Sequence, residues 1–290
     1  MNSFTTAVLL VGSSLTSLVG GTPVISANTP VSTPSWIEAI DPVDIAVNIT
    51  GITTRDIRGF IPNRALNIEH KFQPVLDFDK DGCYYTSAID PNGNLNPGLN
   101  YANGVPPNCL RAQCRDNNRL QNNNVYSRAR CNNGWCAIMY EYYFEKDQIV
   151  CGPARWEQDG HRHDWENVVV FTQGESVRRV APSCHGGYGG ATNSPRLQGQ
   201  RAKIVYHKDG GRTHCLRMAN SGDDAIENYT GSWFIGNLIG WTNWPSTWLR
   251  DRTMNNNWGK ASPKLRDDRF GAALNSAGGG QVGSFNPWSD

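Results

Sequence analysis

The stretch Gly160-His161-Arg162-His163-Asp164-Trp165-Glu166 leads, after one Asn, into Val168-Val169-Val170-Phe171. Three consecutive β-branched residues and an aromatic specify a strand, because branching at Cβ suits a pleated, half-buried surface. Side chains alternate along a strand. Asp164, Glu166, Val168 and Val170 therefore share one face, and His163, Trp165, Asn167 and Val169 the other. At roughly 3.3 Å per residue the two carboxylates stand about 7 Å apart. Bare anions are costly on a face that continues into buried valines unless they are paired or hold a metal. Imidazole with carboxylate oxygen is a ligand set that divalent cations accept. A metal-binding rim is the favoured reading, and a solvated strand end is its alternative. Zinc is not favoured, since the sequence has no pair of histidines one helical turn apart.

The 290 residues carry a net charge of +1, 38% hydrophobic residues and 30 glycines. That balance describes a turn-rich globular protein and lacks the charge excess of a nucleic-acid binder, so no nucleic-acid partner is expected. Residues 1–37 contain no Lys, Arg, Asp or Glu, and Ala7-Val8-Leu9-Leu10-Val11 forms a short apolar run. This resembles a secretory signal peptide, expected over residues 1–27 although its start has no basic residue. An N-terminal lead-in, rich in Pro, Ser and Thr over 28–36, is expected over 28–70 and one globular domain over 71–290. The eight cysteines (83, 109, 114, 131, 136, 151, 184 and 215) then read as a disulfide framework whose pairing the sequence leaves open. Asn48-Ile49-Thr50 and Asn228-Tyr229-Thr230 are glycosylation sequons.

Asp77-Phe78-Asp79-Lys80-Asp81-Gly82 has the spacing of the first half of an EF-hand loop, with oxygen ligands at alternate positions and then Gly. Ala88 stands where the closing Glu would be, so a calcium loop of another kind, using Asp77, Asp79, Asp81 and Asp90, competes with an acidic surface turn. Further on, Ala137 to Phe144 reads as a central strand with Asp147 just past its end. The runs 177–181, 202–206 and 213–217, separated by turn clusters, suggest an antiparallel sandwich. Trp244 to Arg250 reads as a short helix, and the tail from Gly278 as irregular.

Together, Ala137-Ile138-Met139-Tyr140, Phe144-Glu145-Lys146-Asp147-Gln148, Gly160 to Glu166, Tyr206-His207-Lys208-Asp209-Gly210 and Asn257-Trp258-Gly259-Lys260-Ala261-Ser262 resemble the necrosis- and ethylene-inducing peptide-like family. The likeness runs from about Lys71 to Phe270. The extra cysteines and the Asp77–Cys83 stretch resemble its second type, for which a calcium-binding loop has been proposed. The resemblance implies a mainly β, single-domain antiparallel β-sandwich with flanking helices, similar to fungal lectins and actinoporins. It also implies a secreted, monomeric, non-enzymatic cytolysin. Such a protein would bind the sugar headgroup of plant plasma-membrane glycosylinositol phosphorylceramide with a divalent cation, Mg2+ or Ca2+, and damage the membrane surface. Carried over by motif, Asp147, His161, Asp164 and Glu166 form the metal site, and His185, His214 and Asp209 lie near the headgroup. Between Asp147 and His161 the chain is longer than the shorter family pattern, and Cys151 lies in the insert. The competing functions are a non-cytolytic elicitor or glycan-binding module, and a metal-dependent carbohydrate-active enzyme, for which a carboxylate spacing of about 7 Å is weak support.

Overall fold

A computed structural model describes residues 59–100, 113–150, 159–210 and 213–290. The expected signal peptide, most of the lead-in, Asn48, Cys109 and Cys151 lie outside these residues. After helix α1 (Asn67–Phe72) comes strand β1 (Val75–Phe78), then a short helix α2 (Asn118–Gln121). Strands β2 (Val125–Asn132), β3 (Trp135–Val150), β4 (Asp159–Gln173), β5 (Ser176–Pro182), β6 (Leu197–Gln198), β7 (Arg201–Asp209), β8 (Thr213–Met218) and β9 (Leu238–Gly240) follow. Helices α3 (Thr247–Met254) and α4 (Asp267–Gly278) complete the order.

The strands form two sheets. One is five-stranded in the order β5-β4-β3-β2-β9, and the other holds β1, β7 and β6, with β8 also paired to β7. The sandwich is mainly antiparallel, as the alternating patterns imply. Two pairings, β1 with β7 and β2 with β9, are parallel. Both join strands distant in sequence, whose direction a local pattern does not encode. The β2–β3 hairpin is local: Asn133 and Gly134 both have positive φ (50° and 78°), as a two-residue primed turn requires. The Cys131–Cys136 bridge closes it.

Alternation on β3 and β4 divides the core. Ile138, Tyr140, Tyr142, Phe144, Val168 and Val170 meet Phe78, Ile204, Tyr206 and Leu216 between the sheets. Ala137, Met139, Tyr143, Trp165, Val169 and Phe171 face the C-terminal layer of Leu249, Met254, Trp258, Phe270 and Leu274. Each aliphatic or aromatic side chain buried this way contributes about 1.5–3 kcal/mol. The helix expected at 244–250 begins at Thr247, after Ser246 caps it by accepting a hydrogen bond from the Leu249 N–H (3.2 Å). Part of the expected lead-in belongs to this core: Ile61, Ala65 and Ile68 are buried, and Arg64 bridges to Ile239 beside β9. In the tail, Val282 and Phe285 are buried too.

Asp77 is a structural residue. One carboxylate oxygen accepts from Asn228 N (3.1 Å) and Asn228 Nδ2 (2.8 Å), and the other from Glu227 N (2.9 Å). The Asn228 amide also donates to Ser232 O at 2.9 Å, so both of its N–H groups have partners within the chain. Replacing Asp77 by Ala strands three buried donors, each charge-assisted bond being worth about 1.5–3 kcal/mol. Asp77→Ala is expected to lower unfolding stability by about 3 kcal/mol in urea titration, with no loss of cation affinity.

Candidate functional site

At one end of the sandwich β3, β4, β7 and β8 bring acidic side chains into the space between the sheets. Asp147, Asp164 and Glu166 are only 1%, 4% and 9% exposed. Asp164 and Glu166 lie on β4 as the alternation predicts. His161 does not follow that pattern. Strict alternation would place it with His163 and Trp165, yet its Nε2 lies 3.8 Å from Asp147 Oδ2. The reason is His163, which adopts φ +61° and drops out of the cross-strand pairing that resumes at Phe144↔Asp164 and Lys146↔Arg162. A left-handed residue in a strand costs on the order of 1–3 kcal/mol and persists only where packing enforces it. Tyr143 Oη meets His163 Nδ1 at 2.7 Å, and Trp258 lies edge-on to the ring. Burial, then Arg162 and His161, pull the His163 imidazole down to about 4. This side chain is a neutral packing group.

Each acid has distinct partners. Asp147 accepts from His214 Nδ1 (2.8 Å) and from the His214 backbone N–H (3.1 and 3.2 Å to its two oxygens). Asp164 accepts from Tyr206 Oη at 3.1 Å and from the Trp165 N–H at 3.0 Å. Glu166 accepts from Ser183 Oγ. Tyr206 also stacks on His214 (5.3 Å, 19°). Burial, then the charge of Asp147, raise the Asp164 carboxyl to about 6. Burial, then Asp164, push Glu166 well above the usual carboxylate range. Burial depresses His214, but hydrogen bonds to Asp147 and Asp81 overcome it and lift the imidazole to about 9.

The residues placed near the headgroup by motif separate. His214 belongs to the acidic hollow itself. His185 and Asp209 pair on the exposed rim, Nε2 to Oδ2 at 2.6 Å, with Thr213 Oγ1 3.2 Å from His185 Nδ1. Asp77, Asp79 and Asp81, expected as a possible second calcium site, each have a protein partner of their own. Asp77 holds the 227–228 backbone, Asp79 lies 3.6 Å from Arg217, and Asp81 lies 3.7 Å from His214 Nε2. Ser183 and Tyr206 complete the hollow; a lone Ser after a strand carries no sequence signal for such a role.

Among the described residues one cluster has converging ligand atoms. Ligand atoms of Cys184, His185, Asp209 and Cys215 all lie within 4.8 Å of one another, but Cys184 and Cys215 are bridged to each other and offer no thiolate. One imidazole and one carboxylate remain, both exposed. In the hollow, three buried carboxylates repel one another, and His161 Nε2 lies 3.8 Å from Asp147 Oδ2.

The necrosis inducing protein (NPP1) family model matches residues 67–277. The chain is 32% identical to NLP effector protein 10 of Phytophthora capsici over 71% of its own length and 80% of that protein. To the necrosis-inducing protein NPP1 of Phytophthora nicotianae it is 31% identical over 69% and 77%. Among solved structures it resembles NLPPya in complex with glucosamine (TM-score 0.61, 28% identity, 78% of this chain and 99% of that one). It also resembles the non-toxic HaNLP3 protein (TM-score 0.59, 28% identity, 76% and 96%).

A carboxyl raised on folding stabilises below its unfolded value, and that contribution is lost as pH rises through the folded value. For Asp164 the loss spans pH 4 to about 6. A cation that replaces the proton should therefore stabilise little at pH 4 and increasingly through pH 6. At about a hundred times Kd the gain is about 2.7 kcal/mol, or roughly 5–10 °C in a domain of this size. Thermal midpoints in calcium and in chelator at each pH measure it.

Proposed function

Because this chain belongs to the necrosis inducing protein (NPP1) family, we propose that it is a secreted cytolysin that binds the sugar headgroup of a plant glycosylinositol phosphorylceramide and damages the plasma membrane without catalytic turnover. The observation that carries this reading is the hollow itself, in which Asp147, Asp164 and Glu166 are buried together. In it, Asp147, His161, Asp164 and Glu166 would hold a magnesium or calcium ion. A bound cation neutralises the acids and offers coordination positions to sugar hydroxyls.

The chain's own residues supply the rest. His214 keeps Asp147 fixed from behind, Tyr206 and Ser183 orient Asp164 and Glu166, and the strands that carry them give the precision a loop would lack. The His185–Asp209 pair on the rim has the position and polarity to meet sugar hydroxyls beyond the ion. Glucosamine in the NLPPya complex supports a sugar ligand. A second reading, headgroup recognition without lysis, is supported by the likeness to HaNLP3, which is non-toxic.

Dye release from vesicles with and without the sphingolipid tests both. Release is expected only with lipid and divalent cation together. Asp164→Ala and Glu166→Ala, checked for folding by thermal midpoint, should lower it by about 10–100-fold, the loss typical of disturbed metal sites. Equal release in chelator would sink the toxin reading, and intact vesicles that still bind headgroup would select the second.

A further inference from the structure

The Cys184–Cys215 bridge joins the segment after β5 to β8, and so ties the five-stranded sheet to the other one. The other bridges among the described residues do not: Cys131–Cys136 closes the β2–β3 hairpin, and Cys83–Cys114 joins the chain after β1 to the chain before α2. Both tied strands lie at an edge. β5 closes one side of its sheet, and among the described strands β8 pairs only with β7. A strand held from one side opens at low cost, so a covalent tie there has more to restrain than one at a sheet centre.

The neighbours of this bridge are residues that orient the acids. Ser183, just before Cys184, accepts from the Asn167 N–H (2.8 Å) and donates to Glu166. His214, just before Cys215, holds Asp147 through its Nδ1 and its backbone N–H. Beside the bridge a backbone bond crosses the gap, from Leu216 N to Ser183 O at 3.1 Å. Cys184 also opens the turn that carries the rim. It exchanges backbone bonds with Gly187 (2.9 and 3.0 Å), and the two residues between them, His185 and Gly186, both have positive φ (52° and 75°). A histidine is strained in that conformation and keeps it where its surroundings enforce it. One covalent bond thus adjoins the partners of two acids and the His185–Asp209 pair.

We propose that the Cys184–Cys215 bridge is the positioning element of the acidic hollow, setting both its cation affinity and its tolerance of ion size. The proposal rests on the cation reading above. The bond is in place before any ion arrives, so the ordering of Ser183 and His214 does not fall on the binding step. Magnesium requires near-ideal geometry at short bonds, whereas calcium accepts a wider and more flexible shell. Loosening the tie therefore weakens magnesium more than calcium. A general loss of stability makes no such distinction.

The test titrates calcium and magnesium by calorimetry into the full chain and into Cys184→Ser with Cys215→Ser, well below both thermal midpoints. Serine nearly matches cysteine in size and cannot form the bond. The serine pair should bind calcium about tenfold more weakly and magnesium by a larger factor, within the roughly 10–100-fold range of disturbed outer partners in metal sites. Its midpoint without cation should fall by roughly 5–15 °C, as for any bridge spanning 31 positions. Cys131→Ser with Cys136→Ser, at the other end of β3 from Asp147, is the comparison: both affinities should stay within about twofold, as for a distant site. Should the first pair fail to fold, the bridge is opened in the folded chain by a dithiol, which closes to its own cyclic disulfide while the two cysteine sulfurs each gain a proton. Peptide mass confirms the opening, and affinity should fall likewise and return on reoxidation. Calcium affinity untouched by loss of the bridge, or a loss no larger for magnesium than for calcium, would overturn the proposal while leaving the cation reading in place. A wild type whose titration is unchanged by Asp164→Ala removes the cation reading itself, and the role of the bridge with it.

Discussion

Three carboxylates confined between two sheets are the constraint on which the rest of this molecule depends. Isolated ionised groups are expensive to bury, and like charges in one low-dielectric space raise that cost. The chain offsets it with particular contacts: His214 against Asp147, Tyr206 against Asp164, Ser183 against Glu166. What those contacts do not offset remains in the raised carboxyls of Asp164 and Glu166.

The Asp77–Cys83 stretch is tied to the same hollow, although its sequence resembles an independent calcium loop. Asp77 fastens β1 to the backbone at 227–228, and the Cys83–Cys114 bridge holds the end of the stretch. Asp81 faces the far side of the His214 ring from Asp147. One imidazole between two carboxylates links the loop to the acids, so the loop's acidity acts through His214. This is the kind of outer partner that fixes a ligand's orientation in metal sites.

On the opposite face of β4, packing rather than charge does the positioning. Tyr143 and Trp258 pack against His163, with Trp165 against both of them, and hold it in a left-handed conformation. Gly98 must lack a side chain here, because a Cβ would fall 2.6 Å from the His163 ring, and its own φ is +67°. The aromatic layer therefore sets a backbone irregularity on one side of the sheet whose effect, the turning of His161 toward Asp147, appears on the other.

By itself the sequence determined the strand character of 137–144 and 168–171, the two faces of β4, the short helix near 247 and the placing of Asp164 and Glu166 together. These follow from periodicity and β-branching, which are local. The motif resemblance gave the family, which the matched residues 67–277 bear out. Only the tertiary structure decided that β1 and β7 run parallel, that Ile61 to Ile68 join the core, and that His214 stands inside the hollow while His185 and Asp209 stay on its rim. It also decided the partners of the loop acids: the 227–228 backbone for Asp77, Arg217 for Asp79 and His214 for Asp81. The physical reason is the same in each case. Alternation fixes which face a side chain takes, whereas the partner across the gap depends on how distant strands pair and where one left-handed residue breaks the pleat.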